Sequence, residues 1–302
     1  MTTTEHHDAP GTHQPPPPAD PGPPRQAGRP QPRPSDRPGE RRRHRTAWIV
    51  VALIGAFFIV TPLSSSLLAG AISRTTPYTD PDNDRAHTVN AVDVDAGAAR
   101  LTVTAGPARH VSLGGTLTWS LKEPRIERTW HGDTLQLTTR CDGFVDQYVR
   151  TCKADLDLAV PAGVRLTVHT GSGDLKIRDL TGSVDVHSGS AAIKLYGLSG
   201  PVRAKVGSGE LQARQLTSPD VSLRTGSGSI DASFAAAPRQ VKADTGSGSV
   251  SVTVPEGARY RVVGTTGSGS RSIQEELPDA TSPRTLDVSS GSGSVSVGYP
   301  GY

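Results

Sequence analysis

Val168-His169-Thr170-Gly171-Ser172-Gly173-Asp174-Leu175-Lys176-Ile177 returns eighteen residues on as Val186-His187-Ser188-Gly189-Ser190-Ala191-Ala192-Ile193-Lys194-Leu195. It returns again as Ala204-Lys205-Val206-Gly207-Ser208-Gly209-Glu210-Leu211-Gln212-Ala213. The Gly-Ser-Gly turn, or a close variant, begins at Gly171, Gly189, Gly207, Gly226, Gly246, Gly267 and Gly291, at spacings of 18, 18, 19, 20, 21 and 24. The second glycine of the turn is Gly173, Gly209, Gly228, Gly248, Gly269 and Gly293. Each turn is flanked by short segments that alternate apolar and polar residues: Val184 and Val186, Ile193 and Leu195, Val202 and Ala204, Val221 and Leu223, Ile230 and Phe234. Asp185, Lys194, Arg203, Ser222 and Asp231 stand between them. Alternation with period two belongs to a strand with one buried face.

A unit of about twenty residues cannot bury an apolar face alone, so its copies must stack. Two short strands per unit fit one coil of a parallel β-solenoid, an all-β fold of 18–24-residue coils with Gly-Ser-Gly corners. Glycine at each corner is expected to supply a positive φ for the bend. Ala204, Ala213, Ala232 and Ala243 on the inner face point to a thin core. Seven coils at about 4.8 Å each make a rod on the order of 35 Å long. A flexible Gly/Ser linker has no reason to interleave Val-x-Val strands at near-constant spacing. A propeller or sandwich requires longer multi-strand units with hairpin signals. A second echo, Val160-Pro161-Ala162-Gly163-Val164-Arg165-Leu166 and Val254-Pro255-Glu256-Gly257-Ala258-Arg259-Tyr260, marks a strand end, a turn and a new strand in both places.

Upstream, His87–Asp95, Arg100–Thr104, Asp133–Thr138 and Asp155–Val160 alternate in the same way and are expected to be strands. The run from Asp155 to Ile177, with its Val-Pro-x-Gly turn and Thr-Gly-Ser-Gly-Asp-Leu, resembles the bacterial putative-adhesin family, a domain of unknown function with Gly-Ser-Gly repeats. Gly132-Asp133-Thr134-Leu135-Gln136-Leu137 resembles it too, and the likeness extends over roughly residues 87–300. The resemblance implies a β-solenoid at the cell surface and no catalytic residue.

The chain has 302 residues, 34% hydrophobic and 4% aromatic, with 33 Gly and 25 Pro unevenly spread. Residues 1–46 hold twelve of the prolines, eight Arg and five acids, so this tail alone accounts for the formal net charge of +3. The remainder carries 24 basic and 24 acidic residues and is neutral, which argues against a basic nucleic-acid-binding fold. The tail has almost nothing apolar to bury and is expected to be disordered, with Pro15–Pro18 in part polyproline II.

From Ala47 to Ile72 no residue is charged, long enough for a membrane-spanning helix. Arg41-Arg42-Arg43-His44-Arg45 precedes it, while Asp80, Asp82 and Asp84 follow, so the N-terminus is expected in the cytoplasm and residues 87–302 outside. Ala69-Gly70-Ala71 resembles a signal-peptidase site, but a 46-residue leader favours an uncleaved signal anchor at 47–72, followed by a linker at 73–86. On the exported side Cys141 and Cys152, eleven apart, are expected to form one disulfide.

The chemistry-bearing residues form no catalytic constellation. No Gly-x-Ser-x-Gly elbow is present, and no Lys-Ser/Thr follows a Gly-Ser-Gly corner as a phosphate loop requires. Calcium β-roll repeats place an acid in every turn, whereas here only Asp174 and Glu210 follow the corner. His169 and His187 hold equivalent positions in neighbouring coils and should stack about 5 Å apart on the outer face. Lys205, Arg224 and Asp244 continue that column, so a solvated polar ladder is expected there, with no metal or other cofactor. The expected function is a non-catalytic, membrane-anchored surface module that binds another surface protein or a cell-wall polymer. The alternative is an envelope scaffold that self-associates through an exposed final coil, Val295–Tyr302. A carbohydrate-active enzyme on a β-helix is the third reading.

Overall fold

The computed structural model describes residues 48–56, 73–80, 88–107, 110–120, 122–141 and 152–301. The expected disordered tail at 1–46 lies outside these residues, as do positions 57–72 of the expected anchor. Residues 48–56 are helical, and among the described residues no helix is long and apolar enough to cross a membrane. The chain divides into two units, Met1–Phe57 and Phe58–Tyr302. All the strands belong to the second.

Its N-terminal part contains β1 (Arg74–Thr79), β2 (Ala91–Gly97), β3 (Arg100–Gly106), β4 (Ser112–Trp119), β5 (Arg125–His131), β6 (Thr134–Arg140) and β7 (Cys152–Pro161). Five regular coils follow as strand pairs: β8 (Arg165–Thr170) with β9 (Leu175–Arg178), β10 (Val184–Ser190) with β11 (Ile193–Tyr196), β12 (Val202–Ser208) with β13 (Leu211–Leu216), β14 (Asp220–Ser227) with β15 (Ile230–Phe234), and β16 (Gln240–Ser247) with β17 (Val250–Thr253). Then come β18 (Arg261–Val263), β19 (Thr266–Ser268), β20 (Arg271–Ile273), β21 (Thr285–Ser292) and β22 (Val295–Gly298). Each coil gives its first strand to one sheet and its second to another, and the regular coils pair in parallel within each sheet. We call the sheet holding β9, β11 and β13 sheet A, and that holding β8, β10 and β12 sheet B.

The register is one of like on like. Val184 sits between Leu166 and Val202, and Leu195 between Ile177 and Ala213. These side chains are almost wholly buried, while Lys194 and Arg203 face out. Ala204, Ala213, Ala232 and Ala243 are all inside, so the two sheets do approach closely. The return bends carry a column of their own, Leu180, Leu198 and Leu216, each fully buried. Ser199 N–H donates to the Leu180 carbonyl and Thr217 N–H to that of Leu198, so these bends are laddered as the strands are.

The Gly-Ser-Gly corners stack, but their first glycines are needed for a reason other than φ. Gly171, Gly189, Gly207, Gly226, Gly246, Gly267 and Gly291 are all outside the positive-φ region. What excludes a side chain is the next coil: a Cβ on Gly207 would lie 2.5 Å from the Gly189 carbonyl oxygen. The expectation of positive φ holds at the second glycine only, at Gly209, Gly228, Gly248, Gly269 and Gly293. Gly173 lacks it, and its coil neighbour carries Ala191 at the same place. Beside the corners, buried Thr170, Thr245 and Ser290 hydroxyls donate to corner carbonyls, Thr245 Oγ1 to Gly228 at 2.9 Å.

Both ends depart from chain order. β21 lies between β16 and β18, and β22 between β17 and β20, so the last coil in sequence is the last but one in space. The expected exposed final coil, Val295–Tyr302, is therefore an interior one through β22. The end is made instead by β18 and β20, three residues each, whose exposed positions include Arg261 and Arg271. Short, arginine-bearing edges discourage strand addition. At the other end β2 lies between β6 and β8, and β3 between β7 and β9.

Beyond them the parallel pattern stops: β5 runs antiparallel on β6, β4 on β7, and β1 on β4. β1 falls within residues 73–86, expected as a linker; it pairs with β4 and forms the outermost strand of sheet A. Arg128 Nη1 pairs with Asp80 Oδ2 at 2.6 Å, both side chains largely buried, which ties the residue after β1 to β5. Cys141 and Cys152 are joined, with Cα atoms 6.3 Å apart, between β6 and β7. The disulfide lines a depression together with Gly97, Ala98 and Ala99.

Tyr260 is the largest fully buried side chain, and its hydroxyl has no hydrogen-bond partner among the described residues. Burial pushes its phenol up to about 12. Removing an unsatisfied buried hydroxyl is neutral or favourable, so Tyr260→Phe should leave stability unchanged or raise it by about 1 kcal/mol near pH 8. A folded-state pKa above the unfolded one gives stability that is complete below pH 10.0 and falls as pH rises toward about 12. The native chain should therefore lose more melting temperature between pH 8 and 11 than Tyr260→Phe does. Equal losses would show that the phenol ionises freely in the fold.

Candidate binding faces

Strict alternation leaves each sheet one outward face, and parallel in-register stacking turns every outward position into a column. On sheet B one column runs Asp95, His169, His187, Lys205, Arg224, Asp244. The two imidazoles stack as expected, with ring centroids 5.3 Å apart and planes at 14°. His187 Nε2 also lies 3.0 Å from Asp185 Oδ1, and Arg203 Nη1 lies 3.8 Å from the other oxygen of that carboxylate. A shallow depression of 400 Å³ opens over Asp95, His169, His187 and Lys205. Among the described residues no three His, Cys, Asp or Glu come together as a metal site.

Several charges of sheet B are paired within the face. A depression of 470 Å³ on it is lined by Arg165, Asp185, Arg203, Asp220 and Lys242 among others. Arg239 pairs with Asp220, whose carboxylate holds that guanidinium above its ordinary pKa by hydrogen bonding and charge. Lys242 Nζ lies 2.7 Å from Asp287.

Sheet A differs. Lys176, Lys194, Gln212 and Asp231 form one outward column, and Arg178, Tyr196 and Arg214 the next. Arg214 Nη2 meets Asp231 Oδ2 at 2.7 Å. Lys176, Arg178 and Lys194 have no ion-pair partner among the described residues. Tyr196 is 47% exposed, and no other aromatic in the described strands is so open. A depression of 180 Å³ is lined by Lys176, Arg178, Lys194, Tyr196, Gln212 and Arg214.

The sequence reading placed the His169 column correctly but began it one coil late, since Asp95 belongs to a coil separated from it by about seventy residues of chain. It missed sheet A's basic patch. The signal was present at the 18-residue offset, in 176/194/212 and 178/196/214, and is lost when the charges are read linearly. The corner glycines named from sequence line the solenoid's edge and hold backbone together; the disulfide, too, is structural.

The family description Toastrack DUF4097 matches residues 144–297. No curated protein matches the sequence. Among solved structures, a putative cell adhesion protein from Clostridium sporogenes is 12% identical, with TM-score 0.35, over 75% of this chain and 99% of that one. A putative adhesin from Bacteroides fragilis is 13% identical, with TM-score 0.42, over 75% and 96%. A putative lipid binding protein from Parabacteroides distasonis is 12% identical, with TM-score 0.39, over 74% and 96%.

Proposed function

Taking as premise that the chain belongs to the Toastrack DUF4097 family, we propose that it is a non-catalytic, membrane-anchored module that binds another component of the bacterial cell surface. The observation that carries this is the pair of outward faces, each a set of side-chain columns repeated at strand spacing along a stack. Such an extended, repetitive surface suits a partner that is itself extended or repetitive. The charge-free stretch at 47–72, with Arg41–Arg45 before it, supports an uncleaved anchor with the N-terminus in the cytoplasm and residues 87–302 outside. The Cys141–Cys152 disulfide agrees with an oxidising compartment. Self-association through coil ends loses its motive, since the end coil is the short, arginine-bearing one.

Protease added to intact cells should digest residues 73–302 and spare the tail. Crosslinking from the outward faces of the native chain should then capture a surface protein or wall polymer. A mature N-terminus near Ile72 would replace the anchor by secretion, and a repeat face that captures nothing on intact cells would sink the binding role.

A further inference from the structure

On the reading that the exported faces bind a surface component, we infer that sheet A takes a linear acidic polysaccharide, its sugar rings passing over Tyr196 and its carboxylates meeting Lys176, Arg178 and Lys194. Three features of the patch define that ligand. First, the three cations have no ion-pair partner among the described residues, whereas Arg203, Arg239 and Lys242 on sheet B, and Arg214 on sheet A itself, each meet an acid. The missing counter-charge is supplied from outside.

Second, Lys176 and Lys194 belong to adjacent strands, about 4.8 Å apart, as do Arg178 and Tyr196. A polymer carrying a charge on each unit, laid across the strands, can meet the cations in series, and the strand spacing is close to the length of one pyranose. Arg178 and Arg214 flank Tyr196 in a single column, and a guanidinium fork matches a carboxylate in two parallel hydrogen bonds.

Third, the patch holds the one open aromatic of the described strands. An exposed ring between cations offers an apolar face to the C–H face of a sugar, and the Gln212 amide beside it offers a donor and an acceptor to hydroxyls. A polyphosphate would use the charges and leave the ring idle. A single-stranded nucleic acid would use both, but such grooves present a series of aromatics to successive bases, and here there is one.

The test uses the full-length chain in detergent, with polygalacturonate as the probe and dextran, inorganic polyphosphate and oligo(dT) beside it. Polygalacturonate should bind, weaken with added salt, and weaken about tenfold in the double variant K176E/K194E, each exposed charge contributing roughly half of that factor in free energy. Tyr196→Ala should weaken it severalfold, dextran should not bind, and Lys205→Glu on sheet B should change nothing. All the altered side chains face solvent, so unchanged melting temperatures are expected and verify the fold. No binding of polygalacturonate overturns the inference. So does polyphosphate binding as tightly and indifferent to Tyr196→Ala, or oligo(dT) binding tighter than polygalacturonate and sensitive to it. Capture on intact cells separates the two levels. If K176E/K194E captures a surface partner as well as the native chain does, this inference fails and the surface-binding role stands; if the native chain captures nothing, that role fails.

Discussion

Leu195→Asp is expected to abolish the cooperative thermal transition of the solenoid, whereas Lys194→Asp, one residue away, should shift it by about one or two degrees at most. Leu195 is 1% exposed and lies between Ile177 and Ala213 in the stack. An aspartate there loses the leucine's contacts and buries a carboxylate with no partner, at a cost of about 5 kcal/mol or more. That consumes a large part of a domain's total stability. Lys194 faces solvent beside Lys176, so its replacement removes a like-charge neighbour and no packing. Melts of both full-length variants, followed by far-ultraviolet circular dichroism, decide the matter. Equal melting temperatures would mean that alternation does not divide core from surface.

Gly228→Ala is expected to be nearly as damaging, though it adds a single methyl group. Gly228 has φ +131°, and its Cβ would lie 2.0 Å from the Gly209 carbonyl oxygen. The coil below cannot withdraw, because its own corner rests on the next. Strain and displaced backbone together should cost about 3 kcal/mol or more, and lower the melting temperature by roughly 6–12 °C. Gly132, in the turn between β5 and β6, is the control: φ is +65° with nothing within 4 Å. Gly132→Ala should cost about 1–2 kcal/mol, the backbone term alone. If the two variants melt together, close stacking of the corners is not what demands glycine.

Local order was readable because a strand's two-residue period and a coil's near-constant length are both written in side-chain type. The stacked His169 and His187, the buried Leu195 and the Cys141–Cys152 pair follow from those periods and from thiol chemistry. The neighbours of a coil are another matter. The step from Gly246 to Gly267 looks like one swollen coil and the step to Gly291 like another, yet the second lands between the first two. Nothing local distinguishes a coil that stacks on its predecessor from one that displaces it, since both bury the same faces. Positions 112–119 and 125–131 escaped notice for a different reason. β5 is half-buried in alternation, with no wholly buried residue to mark it, and β4 spends two of its positions on Gly114 and Gly115. Glycine's role at the first corner position was misjudged because sequence reports a missing side chain without saying whether torsion or a neighbour forbids it.

The placement of β21 and β22 sets a condition on how the protein is made. Residues 261–273 leave the ribosome first, but their partners are residues 285–298, and nothing else among the described strands pairs with them. In the finished stack they therefore pair only with strands synthesised after them. A stop codon anywhere after residue 273 and before 285 deletes one layer and takes from residues 261–273 the partners they have in the finished stack. The order of the layers in space thus differs from the order in which the chain is made, and the pairing of residues 261–273 reports on the presence of residues 285–298.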